Sequence, residues 1–80
     1  MAVKLVFLGK LADLAGAADQ DVAGPLDWAG LIAALPGPLG EAARGEKVKL
    51  ALNGTVLTDK TALAASNGDE VALLPPVSGG

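Results

Sequence analysis

Eighty residues, 51% of them hydrophobic, make one domain with a thin core: too short for a second unit and too apolar for a disordered tail. Six basic against nine acidic side chains leave a net charge of −3 and one arginine, which excludes a nucleic-acid binder built on clustered cations. Without histidine or cysteine the chain has no Ser-His-Asp or Cys-His nucleophile, no disulfide and no ordinary zinc site, so no metal is expected.

The first run, Ala2 to Leu8, is β-rich and carries Val3, Leu5 and Phe7 on one face and Val6 and Leu8 on the other, the pattern of a central strand. It has one early lysine and no signal-peptide cleavage pattern, and no apolar stretch reaches the ~20 residues of a membrane span. The expected location is therefore the cytoplasm, with no membrane partner. Leu11 to Leu14 reads as a short helical turn stopped by Gly16, and Asp19 to Ala23 as a polar edge strand. Asp13, Asp19, Asp21 and Asp27 are scattered over these segments. Asp19 and Asp21 share a strand face, but without a shaped pocket two such carboxylates read as a solvated edge, not an acid–base pair.

Gly24-Pro25 breaks the chain, and Asp27 is placed to cap a helix by accepting from its free N–H groups. Trp28, Leu31, Ile32 and Leu35 follow at helical spacing as one apolar stripe, a core face. Pro36-Gly37-Pro38 ends that helix, and Leu39 to Arg44 reads as one more turn in a loose connection. Gly37, Gly40 and Gly45 lack the flanking strand and Lys-Ser/Thr of a phosphate-binding loop. Lys47 to Leu52 alternates, with Val48, Leu50 and Leu52 inward and Lys47 and Lys49 outward. Asn53-Gly54 then makes a type I′ hairpin into Thr55 to Leu57. Asn67 to Glu70 is a second turn before a last strand, Val71 to Leu74, which Pro75-Pro76 must end because proline cannot donate to a ladder.

A hairpin, a helix and a second hairpin whose last strand lies beside the first is the α+β, β-grasp arrangement. It predicts a mixed sheet of four to five strands with one main helix on one face, residues 1–74 forming the domain and 75–80 a flexible tail. A sheet covered on one side should be polar on the other. Here Val6, Leu8, Ala72 and Leu74 are expected on the open face, which predicts a partner-binding surface.

Val77-Ser78-Gly79-Gly80 follows the prolines with no large side chain and no charge except a terminal carboxylate. Gly-Gly lacks the Cβ atoms that would bar it from a narrow channel. It presents an unhindered carboxylate, and the prolines stiffen its exit, so less entropy is lost on insertion. A carboxylate becomes an electrophile only when an adenylate supplies a leaving group.

Asp69-Glu-Val-Ala-Leu-Leu-Pro-Pro-Val-Ser-Gly-Gly80 resembles the end of molybdopterin synthase small subunits, ubiquitin-like sulphur carriers in which an acidic turn and an apolar strand lead into Pro-Pro-Val-small-Gly-Gly. Phe7-Leu-Gly-Lys-Leu-Ala-Asp-Leu-Ala-Gly16 is similar to that family's aromatic strand end and its following Arg-Glu-Leu-x-Gly turn, with Ala12 in place of the arginine and Asp13 in place of the glutamate. The resemblance implies a carrier of molybdenum cofactor biosynthesis that holds no permanent cofactor. An ATP-consuming, ubiquitin-activating-like adenylyltransferase would adenylate Gly80, and a persulfide donor would convert it to a thiocarboxylate. The tail, Pro75, Pro76, Val77, Ser78, Gly79 and Gly80, would enter the active site of the synthase large subunit within a heterotetramer. There it would give sulphur to cyclic pyranopterin monophosphate to build a dithiolene. Three other readings stay open: a carrier for thiamine or tRNA thiolation, a ubiquitin-like modifier of lysines, and a non-covalent β-grasp interaction module.

Overall fold

The computed structural model describes residues 2–35 and 37–76. Strand β1 (Ala2–Phe7) is followed by helix α1 (Lys10–Ala15), which Gly16 ends in the left-handed region at φ 74°. The polar strand β2 (Asp19–Ala23) then pairs antiparallel with β1. A two-residue strand, β3 (Leu26–Asp27), leads into α2 (Trp28–Ala34), and α3 (Gly37–Arg44) follows directly. Strands β4 (Lys49–Leu52) and β5 (Thr55–Val56) form the expected hairpin, with Asn53 at φ 49° and Gly54 at φ 87° in its turn. A 3₁₀ turn (Lys60–Ala62), β6 (Ala64–Ala65) and β7 (Glu70–Leu74) complete the order.

The main sheet has five strands in the order β2-β1-β7-β4-β5, with β7 in the middle, parallel to β1 and antiparallel to β4. Alternation along the central strands decides the faces. Val3, Leu5 and Phe7 of β1, Val71 and Leu73 of β7, and Leu50 of β4 point inward and are buried. They pack in one cluster with Leu11 of α1, Leu31 of α2, and Leu39 and Ala43 of α3, so the helices share one side of the sheet. Among the described residues no polar or charged side chain is buried.

Two features depart from the sequence reading. Residues 37–44 form a helix of eight residues, as long as α2, so the sheet is covered by two comparable helices and not by one main helix. Pro38 does not prevent this, because it lies in the first turn, where a helix has no use for its N–H. Gly40 brings α3 against the end of α2: a Cβ there would lie 2.0 Å from the Leu35 carbonyl oxygen. Secondly, β3 and β6 pair as a separate two-stranded sheet, Leu26 with Ala65 and Asp27 with Ala64. Pairings two residues long leave no period in a sequence. Asp27 caps α2 as expected, its Oδ1 accepting from the Gly30 N–H at 2.8 Å.

Candidate functional site

The parallel pairing of β1 with β7 brings Phe7 opposite Leu73, so both strands finish at the same edge of the domain. From there the chain passes through Pro75, half-buried, and Pro76, exposed. Gly9 begins α1 beside this exit with φ 55°, and its missing side chain leaves room for the Pro75 ring. The base of the tail is thus fixed by the best-anchored strand of the sheet. Val77, Ser78, Gly79 and Gly80 lie outside the described residues.

On the open face, register builds a row. Val6 pairs with Ala72, Ala72 with Ala51, and Ala51 with Val56, an apolar line across four strands. One step towards the exit, Leu74 lies between Lys49 and the end of β1, where Leu8 follows with 41% of its surface exposed. One step the other way, Lys4 lies between Asp21 and Glu70, opposite charges side by side. Val6, Ala72 and Leu74 are half-buried by their neighbours within the sheet, and none of these residues joins the core. The four positions expected on the open face do lie there. Ala51 and Val56, which complete the row, were missed because only the observed register aligns them.

A second surface flanks the exit. Lys10, Leu11 and Leu14 of α1, the segment Glu46 to Lys49, and Pro75 and Pro76 line an open groove of about 1260 Å³. Its far end is held by Lys60, whose ammonium donates to the carbonyls of Ala43 and Val48, at 2.8 Å each, and to that of Gly45. The same group lies 5.7 Å from the centroid of the Trp28 ring. Burial lowers the Lys60 pKa, repulsion from Lys49 lowers it further, and Glu46 opposes both. Opposite the exit, Asp69 closes the turn before β7. The Ser66 N–H, at 2.9 Å, holds its carboxyl below the usual carboxylate range, helped by Asn53 and opposed by slight burial. Asn53 also extends the central ladder, its Oδ1 accepting from the Glu70 N–H at 2.9 Å.

Among the described residues, no three His, Cys, Asp or Glu side chains converge as metal ligands, and no helix is long and apolar enough to cross a membrane. The arrangement offers no side-chain catalyst; what it offers is a rigid exit for a terminal segment, with an apolar face on one side and a cationic groove on the other.

A mixed five-stranded sheet gripping helices on one face, with its last strand central, defines a small ubiquitin-like β-grasp protein. Residues 5–80 match the ThiS family, and the chain belongs to it. A chain from the complex of subunits 1 and 2 of the molybdopterin-converting factor of Helicobacter pylori 26695 is similar, with 26% identity, a TM-score of 0.68 and 100% coverage of both chains. SAMP1 from Haloferax volcanii is similar at 26% identity and a TM-score of 0.64, again covering 100% of both. The HVO 2177 protein of Haloferax volcanii shares the fold, with a TM-score of 0.77 at 23% identity over 100% of this chain and 87% of that one. Comparison with curated proteins gives no match.

Proposed function

We propose that this chain is the sulphur-carrying small subunit of a molybdopterin synthase, with the Gly80 carboxylate as its working group. The observation that carries the reading is the Pro-Pro-Val-Ser-Gly-Gly end placed directly after the central strand of a β-grasp sheet. The full-length likeness to a chain of the Helicobacter pylori molybdopterin-converting factor complex supports the pathway.

In this reading a carboxylate oxygen of Gly80 attacks the α-phosphate of ATP on a ubiquitin-activating-like enzyme, and pyrophosphate leaves. The terminal sulphur of a persulfide attacks the acyl carbon, and AMP leaves. A second thiol then reduces the S–S bond, forming a disulfide with the donor and releasing the thiocarboxylate. Docked on the large subunit, the carrier gives this sulphur to cyclic pyranopterin monophosphate, and hydrolysis restores the carboxylate. The carrier's own contribution is positioning: a fixed exit and a slim tail.

A second reading, conjugation of the same terminus to lysines of other proteins, is favoured by the equal likeness to SAMP1, an archaeal protein. Mass spectrometry of the protein isolated from cells separates the two. A single oxygen-to-sulphur exchange at Gly80 is expected of the carrier, and an isopeptide-linked ladder of the modifier. Transfer of sulphur to a thiazole precursor, with none to the pterin, would sink the pathway assignment. Deletion of Gly80 without loss of activity would leave only an interaction module.

A further inference from the structure

We propose that the groove beside the tail exit is the docking site for an acidic segment of the activating enzyme that adenylates Gly80, with an apolar side chain of that segment seated against Leu14 and Pro75. The inference rests on the carrier reading and adds the chemistry by which the partner is recognised.

Three of the chain's six cations, Lys10, Lys47 and Lys49, line this one groove although the chain carries a net charge of −3, and Glu46 is the single acid among them. They arrive from segments almost forty residues apart, so the fold and not a local run of charge brings them together. An ordinary role for strand lysines, guarding a free edge against pairing, does not apply to Lys49: β4 is bonded on both sides, to β7 and β5. Between the lysines the lining is apolar, and Leu14 is 50% exposed on a helix that buries Leu11. Such a mixture of an apolar floor and a cationic rim suits an acidic segment that carries one hydrophobic anchor.

Position selects which partner this is. Pro75 and Pro76 form a wall of the groove, and only four residues follow them. Fully extended, these reach about 14 Å. A protein that takes the Gly80 carboxylate into its own site must therefore approach within that distance and cover the groove. Opposite charge there raises the encounter rate and fixes the orientation in which the tail is offered.

The test is ATP–pyrophosphate exchange by the purified ubiquitin-activating-like enzyme of the same organism, measured against carrier concentration at low and high salt. Lys10→Glu, Lys47→Glu and Lys49→Glu combined should raise KM by roughly tenfold or more while leaving kcat nearly unchanged, and should abolish the salt dependence of KM. Lys4→Glu, a charge reversal on the open sheet face, should leave KM unaltered. The Gly80-deleted chain should support no exchange yet inhibit the wild type competitively, and should lose that inhibition when the three lysines are also reversed. Circular dichroism checks that the variants are folded, and the milder Lys→Gln set should give a smaller shift in the same direction. An unchanged KM and salt profile in the folded triple variant, with Gly80 deletion still inactivating, overturns the groove and spares the carrier. An equal rise in KM for Lys4→Glu also overturns it, by showing an effect of net charge alone. Exchange that survives deletion of Gly80 overturns the carrier reading and the groove with it.

Discussion

Gly9 lies against Pro75 so closely that a Cβ at Gly9 would stand 3.3 Å from the proline Cγ. Gly9 also holds φ 55° and ψ −129°, a backbone conformation that side chains disfavour. The start of α1 and the start of the tail are therefore set against each other. Gly9→Ala should cost about 1–3 kcal/mol through the backbone alone and push Pro75 outward. Urea denaturation measures the first effect; chemical-shift changes at Leu74 to Pro76 measure the second.

The open face gives a prediction that separates stability from docking. Leu8 follows β1, is exposed and touches no core residue, so Leu8→Asp should change unfolding free energy by less than about 0.5 kcal/mol. If the face receives the synthase large subunit, the same change should weaken that complex by roughly tenfold or more, because it places a charge in an apolar contact. Calorimetric titration of the large subunit with wild type and variant reads the difference.

Lys60 ties α3 to the start of β4 by donating to three carbonyls. Lys60→Met keeps the length of the side chain and its contact with Trp28 but supplies no donor. We expect a loss of about 1.5–3 kcal/mol, the usual range for hydrogen bonds from a charged group. Thermal unfolding checks it.

Acid should weaken the turn before β7. The Asp69 carboxyl has its folded pKa below the ordinary 3.8, chiefly through the Ser66 N–H. Its contribution is therefore complete above that value and disappears as pH falls through the lower, folded value. Asp69→Asn should flatten the acid limb of stability against pH and leave the neutral region with a smaller, pH-independent change. Urea midpoints taken between about pH 2 and pH 6 test this.

Much of the fold was legible because short-range chemistry dictated it. Asn53-Gly54 could only be a turn, Asp27 could only cap, and the two apolar faces of Ala2 to Leu8 demanded a central strand. The helix at residues 37–44 was not legible, since Pro38 and Gly40 read as breakers until the close approach to Leu35 showed why a glycine is needed. The open-face residues Val6, Leu8, Ala72 and Leu74 followed from alternation, whereas Ala51 and Val56 depended on register. The cationic groove was hidden for a different reason: Lys47 and Lys49 look like an ordinary solvent face until Leu74 pairs with Lys49 and carries the prolines beside them.

The central place of β7 bears on how the protein is made. Residues 70–74 are the last strand to leave the ribosome, yet β1 and β4 both need them as a neighbour. A chain cut short before Glu70 has no sheet to complete, and its exposed strands would mark it for degradation. Only a chain translated through its final strand can fold, so a folded domain certifies that the strand bearing the tail is present.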